Sequence, residues 1–241
     1  MTKNNHRKVA WLTVANEQYC EIFCDYGFDT ICIDLEHSQI SLSEATKLIR
    51  IINLRKKKSF IRLTNKKMSD LNRYLDVGID GIIIPNVNNI DDLNLIKKNV
   101  YYPPNGSRGV GLSRANKFGD NFNNYFNKVS KKIELISIIE SKEGIQNLDS
   151  ILKYKYLDGI MIGPYDLSSS LGIPGRFDSP KFKKNLAIIE KKIEKTKKFL
   201  GIHVVEPDKK IIQKYLNKNY TFLIYSLDTI LIKKALDNLL S

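Results

Sequence analysis

Eight short apolar runs recur along the chain, most of them separated by amphipathic stretches. They are 9-VAWLT-13, 30-TICID-34, 60-FIRL-63, 81-GIIIP-85, 133-IELISII-139, 158-DGIMIG-163, 201-GIHVV-205 and 222-FLIYS-226. Such runs alternating with helices predict parallel strands buried on both faces, because crossover helices cover a parallel sheet on each side. Eight β/α units in 241 residues predict an α/β fold: a single (β/α)8 TIM-type barrel spanning 1–241. Barrels of this kind run to roughly 250 residues as one unit. The 42% hydrophobic content is enough for a core and argues against global disorder.

Local signals support the helices between the runs. Ser41 and Glu44 form a capping-box pattern that opens a helix to about Arg55. Pro180 begins the longest predicted helix, to about Lys198. Asp208 and Asp228 read as N-caps. The one long connection, about 101–124, carries glycines, arginines and aromatics. Loops of this length in compact domains are usually functional or disordered, so it reads as an active-site loop.

Composition narrows the function classes. The net charge is +13, but lysine pairs recur along the whole chain, mostly on predicted helices. A nucleic-acid site would gather its charge on one face with arginine and stacking aromatics, so no specific nucleic-acid partner is expected. No apolar run reaches the ~18 residues of a membrane span, and no signal peptide is expected. Cys20, Cys24 and Cys32 form no CxxC pair and read as buried, reduced thiols in a cytoplasmic protein.

Barrel enzymes place their chemistry at the C-terminal ends of the strands. Applied here, that rule collects Asp34, Glu36 and His37 after strand two, Arg62 in strand three and Glu140 after strand five. It adds Asp166 after strand six and His203 in strand seven. Two carboxylates with open coordination positions suit Mg²⁺ or Mn²⁺, yet Glu140 and Asp166 each precede a predicted helix and could equally cap it. Arg62, inside an apolar strand, either aims at an anion or closes the barrel with a buried salt bridge. His37 is either a general base or a satisfied polar residue at a strand end. No HExxH pattern supports a zinc protease site. The eight runs contain no lysine, which argues against a Schiff-base route.

Five segments carry a resemblance. They are 27-GFDTICIDLEHS-38, 75-LDVGIDGIIIPNV-87, 102-YPPNGSRGVGLSRA-115, 138-IIESKEGIQNLDSI-151 and 158-DGIMIGPYDLSSSLGIPG-175. In order and spacing they resemble the class II pyruvate aldolases of the HpcH/HpaI aldolase/citrate lyase family, over nearly the whole chain. The resemblance implies a (β/α)8 barrel, often hexameric, and a divalent metal (Mg²⁺ or Mn²⁺, with Co²⁺ a third candidate) without an organic cofactor. It implies reversible cleavage of a 4-hydroxy-2-oxo acid into pyruvate and an aldehyde.

Residue by residue, the resemblance makes Glu140 and Asp166 the metal ligands and Arg62 the enolate-stabilising residue. His37 becomes the acid/base residue, with Asp34 as its orienting partner. Gly163, Pro164 and Tyr165 occupy the segment that, with Asp166, holds the pyruvate carboxylate. Glu36, Asp76 and Arg108 are candidate supporting residues, Asp76 toward a neighbouring subunit's site. Two departures concern the acceptor. Tyr165 is bulky where heptanedioate-cleaving members carry alanine, and His203 stands where they carry an aliphatic residue near the aldehyde. Around 163-GPYDLS-168 the chain resembles family members from polysaccharide gene clusters, and by that analogy a sugar-derived or hydroxyaldehyde acceptor is among the expectations. The runners-up are a citrate-lyase-like CoA-ester lyase and an inactive basic barrel that acts as a binding protein.

Overall fold

Alternation along each strand decides which side chains enter the barrel, because successive residues of a strand point to opposite faces. The computed structural model describes residues 6–241. Its elements run β1 (Arg7–Leu12), α1 (Glu17–Asp25), β2 (Thr30–Asp34), α2 (Leu42–Leu54), β3 (Lys58–Arg62), α3 (Leu71–Val77), β4 (Gly81–Ile84) and α4 (Ile90–Val100). A long connection holding the single turn α5 (Phe122–Asn124) leads to β5 (Glu134–Ile139), α6 (Lys142–Gln146), α7 (Leu148–Lys153) and β6 (Gly159–Ile162). Then follow α8 (Pro164–Ser170), α9 (Pro180–Ile193), β7 (Phe199–Val204), α10 (Lys209–Leu216), β8 (Phe222–Tyr225) and α11 (Asp228–Leu240). The eight strands are parallel, pair in sequence order and close through β1 and β8. The predicted barrel is the observed one.

One parity of strand residues fills the interior. Val9, Trp11, Cys32, Phe60, Ile83, Ile136, Ile138, Met161, Phe222 and Ile224 form that inner cluster. The other parity, including Ala10, Leu12, Ile31, Ile33, Ile61, Ile82 and Ile84, joins the sheath beneath the helices. At the N-terminal end Arg7 lies 5.5–5.8 Å from the ring centroids of Phe60, Phe199 and Phe222 and pairs with Glu134 at 2.7 Å. Gly81 makes room for this plug, since a Cβ there would stand 2.3 Å from the Phe60 ring.

Several local expectations are corrected. Strands β1 and β3 begin two residues earlier than the apolar runs and so include Lys8 and Lys58. Both lie at the N-terminal ends, Lys8 exposed and Lys58 paired with Glu134, so neither lysine reaches the C-terminal rim. Helix α9 stops at Ile193, five residues before Lys198, where the Thr196 hydroxyl bonds to the Ile193 carbonyl and turns the chain. Asp208 caps α10 as expected. Asp228 instead sits one residue inside α11, because its carboxylate is taken by the Thr13 and Val14 amides and the Thr13 hydroxyl. The three cysteines are buried and free. Among the described residues no helix is long and apolar enough to cross a membrane.

The segment 101–124 is not a loop over the rim. It joins the end of α4 to the start of β5, and helix-to-strand connections open on the N-terminal side of a barrel, opposite the catalytic rim. Its anchors agree: Arg114 donates to Asn53 and to the Val77 carbonyl, and Tyr125 donates to the Leu75 carbonyl, all near the C-terminal ends of α2 and α3.

Candidate active site

The inward parity that builds the core continues to the C-terminal rim and changes character there. Trp11, Asp34, Arg62 and His203 occupy inward positions on β1, β2, β3 and β7, and Glu140 and Gly163 continue β5 and β6 by one step. Register puts Asp34 directly beside Arg62. The Asp34 carboxylate accepts from Arg62 Nε at 2.8 Å and Nη2 at 2.5 Å, and from Trp11 Nε1 at 3.2 Å. The third guanidinium nitrogen pairs with Glu36 at 3.0 Å, and the guanidinium lies 5.2 Å from the Trp11 ring centroid. Burial alone would raise the Asp34 pKa, but the Arg62 hydrogen bonds and charge, with Trp11, hold its carboxyl below the usual range. Glu36 is raised, chiefly by burial and against the pull of Arg62.

This arrangement corrects the partner given to Asp34. Its carboxylate meets His37 only at the main-chain amide, at 3.3 Å, so it positions Arg62 and not the imidazole. The reason is distance along the chain: His37 lies three residues past the strand, is exposed, and makes no ring hydrogen bond among the described residues. Asp76 and Arg108 pair with each other at 2.6 Å on the flank of α3, and neither is bonded to a rim residue among the described residues.

The two alternatives for Glu140 and Asp166 are now separable. Ser141, not Glu140, caps α6, and Asp166 lies in the first turn of α8, which Gly163 caps. Neither acid serves as the N-cap. Asp166 makes no hydrogen bond or ion pair among the described residues, and Glu140 accepts only from the Asn86 amide, at 2.5 Å. Asn86 holds a left-handed φ of 49°, tolerable for asparagine, and its carbonyl is clamped by Lys66 at 2.9 Å. Gly163 allows Glu140 its position, since a Cβ there would stand 2.7 Å from Oε2. Burial pushes Glu140 up to about 7, and the charges of Asp166 and Glu36 add to it.

Two uncapped, mutually repelling carboxylates at a water-accessible rim have the donor chemistry of a hard divalent cation, which takes one or two carboxylates and fills its shell with water and substrate oxygens. Among the described residues no group of three or more His, Cys, Asp or Glu gathers as a metal cluster, so a self-sufficient protein cage is not present. The residues fit an open cation site completed by substrate.

Three hollows meet at this point. One is lined by Trp11, Arg62, Glu140, Asp166, Tyr165 and His203. A second, on the α8 side, holds Glu36, His37, Asn86, Glu140 and Asp166. A third leads outward past Tyr165, His203, Phe177 and Glu206. A groove of about 650 Å³ lies elsewhere, between α2, α3 and residues 113–118, and holds none of these groups. His203 sits 4.9 Å from Trp11, centroid to centroid, and its Nε2 stands 3.1 Å from the Ser226 carbonyl. Burial lowers its pKa to about 4. Trp11 and Ser226 were not singled out from the sequence, whereas Asn86 was placed on the rim as the end of strand four. Trp11 was findable, since it shares inward parity with Val9 on β1.

The chain is similar to known proteins in sequence and in fold. The sequence profile described as HpcH/HpaI aldolase/citrate lyase matches residues 7–235. The chain belongs to the HpcH/HpaI aldolase/citrate lyase family. The 2-keto-3-deoxy-L-rhamnonate aldolase of Shigella boydii serotype 4 (strain Sb227) is 31% identical over 233 residues, covering 96% of this chain and 86% of that protein. Two solved structures share the fold at a TM-score of 0.92 and 23% identity. An HpcH/HpaI family protein from Burkholderia cenocepacia J2315 covers 99% of this chain and 95% of its own. An HpcH/HpaI aldolase from Desulfitobacterium hafniense DCB-2 covers 98% and 92%. Membership in the HpcH/HpaI family makes the chain an enzyme, a carbon–carbon lyase acting on small molecules.

Proposed function

We propose that the protein is a divalent-metal-dependent aldolase that reversibly cleaves a 4-hydroxy-2-oxo acid, of the keto-deoxy sugar acid kind, into pyruvate and an aldehyde. The carrying observation is the pair of uncapped carboxylates, Glu140 and Asp166, sharing one hollow with the fixed guanidinium of Arg62. The sugar acid is inferred from the activity that the Shigella boydii relative is named for. Glu140 and Asp166 hold the cation, Mg²⁺ or Mn²⁺ first and Co²⁺ third. When bound there, the cation supplies Lewis-acid stabilisation of the enolate oxygen. Arg62, locked by Asp34 and Glu36, presents a preorganised positive charge to that oxygen and needs no reorientation as charge develops. At the helix start that Gly163 and Pro164 open, the main-chain N–H groups of Tyr165 and Asp166 hold the carboxylate of the 2-oxo acid, Pro164 having none to give. His37, exposed at the mouth, takes the C4 hydroxyl proton as the C3–C4 bond breaks and returns it in the synthetic direction.

Chelated protein is expected to lose pyruvate formation from such an acid and to regain it with Mg²⁺ or Mn²⁺; full activity after chelation would refute the metal assignment. His37→Asn is expected to slow cleavage by roughly 10²–10⁴-fold, the usual worth of a general base.

Homo-oligomeric assembly belongs to the same reading. Beyond Asp228, α11 buries no residue, and Leu236, Leu239 and Leu240 are 51–82% exposed. Apolar surface of this kind marks an interaction face. Light scattering is expected to give a multiple of 27.7 kDa; a monomer at micromolar concentration would contradict it.

A further inference from the structure

The polar groups of the central hollow can be accounted for one by one. Arg62 is committed to Asp34 and Glu36, and the Trp11 N–H to Asp34. Glu140 and Asp166 face the cation in the proposed reaction, on which this inference rests. What remains toward the outward hollow is Tyr165, about half exposed with its ring edge-on to Phe177, and His203, together with Glu206 and Tyr215.

The tautomer of His203 follows from its partner. Ser226 offers a carbonyl oxygen, which only accepts, so Nε2 must carry the hydrogen and donate it. A neutral ring with its hydrogen on Nε2 leaves a bare lone pair on Nδ1. Burial keeps the ring neutral, with its pKa near 4. Nδ1 makes no hydrogen bond among the described residues. The ring lines both the hollow of the carboxylates and the one leading outward. Tilted packing against Trp11 and the bond to Ser226 fix its orientation. An aliphatic residue at this position would present only carbon; this chain places a bare nitrogen acceptor where the two hollows join.

We propose that His203 Nδ1 is a specificity-determining atom for the acceptor, taking a hydrogen bond from a hydroxyl beside the aldehyde carbon, so that the enzyme selects 2-hydroxyaldehydes over their unhydroxylated counterparts. The central hollow holds only about 60 Å³, which keeps the recognised hydroxyl close to the reacting carbonyl. A bare acceptor also disfavours an acceptor aldehyde bearing a carboxylate at this point, since two lone pairs would face each other.

The test uses condensation with saturating pyruvate and compares two aldehydes of equal heavy-atom count, glycolaldehyde and propanal. The wild-type protein is expected to favour glycolaldehyde in kcat/KM by ~10-fold, the fold-change of one neutral hydrogen bond. His203→Leu removes that preference. His203→Gln, which can still donate to Ser226 but lacks the acceptor at the δ1 position, also loses it and serves if the leucine variant does not fold. His203→Asn, with a carbonyl oxygen near the place of Nδ1, retains part of it. An unchanged preference in His203→Leu or His203→Gln overturns the assignment. Deuterium exchange into the pyruvate methyl group, measured on the wild type without aldehyde, separates the two levels. Exchange with an unchanged preference sinks the role of His203 alone. Absence of metal-dependent exchange sinks the aldolase reading and this inference with it.

Discussion

Arg62→Ala is expected to abolish cleavage and to destabilise the fold together. Its guanidinium is the partner of a carboxylate that is 1% exposed, Asp34, and of half-buried Glu36. Removing one member of a buried pair leaves an uncompensated charge and costs about 3–5 kcal/mol. The loss of fixed positive charge at the developing enolate costs a further ~10²–10³-fold in turnover. Adding Asp34→Asn to Arg62→Ala is expected to recover much of the stability without recovering activity. Arg62→Lys keeps a charge but not the fork that spans Asp34 and Glu36, so it should be folded and still slow. Thermal melts and pyruvate formation on these variants read the two effects separately. An alanine variant as stable as the wild type would mean that the Asp34–Arg62 pair is not the structural unit described; a near-normal rate would remove Arg62 from the mechanism.

Glu140→Gln is expected to lower cleavage by about 10³-fold, the several kcal/mol of charge stabilisation that a bound cation supplies. It should also weaken Mn²⁺ binding measured directly. The same residue gives a pH signature. Glu140 is pushed up to about 7 from the ordinary 4.5, so between those values the metal-free fold keeps a proton that the unfolded chain has lost. Its contribution is therefore fully present below about pH 4.5 and is lost as pH rises through 7, by an amount on the order of 3 kcal/mol. In the proposed reaction a cation takes the ionised carboxylate and would oppose that loss, so its apparent affinity should rise by up to ~10-fold per pH unit toward neutrality. Melting temperature against pH, with and without Mg²⁺, tests this in wild type and Glu140→Gln. An identical pH slope in the two proteins would take Glu140 out of the account.

The sequence alone specifies the architecture. Apolar period and run length are local properties, and eight β/α units in a chain of this length leave few ways to bury their faces. It also determined which side chains stand near the rim, since strand order and strand ends place Asp34, Arg62, Glu140, Asp166 and His203 at one end. Pairing was decided only in three dimensions. Asp34 is two residues from Glu36 and three from His37 in sequence, yet the register of β2 against β3 delivers it to Arg62, 28 residues on. Whether Glu140 and Asp166 cap helices or face a ligand depended on which residue the helix start used, and Ser141 and Gly163 took those places. The segment 101–124 has the composition of an active-site loop, but composition does not say at which end of the barrel a connection opens. Chain direction does: a helix-to-strand link returns to the N-terminal end, away from the chemistry. His203 shows the same division. Its place in strand seven was legible, whereas its fixed tautomer depended on the carbonyl of Ser226, which only the closure of β7 against β8 brings within reach.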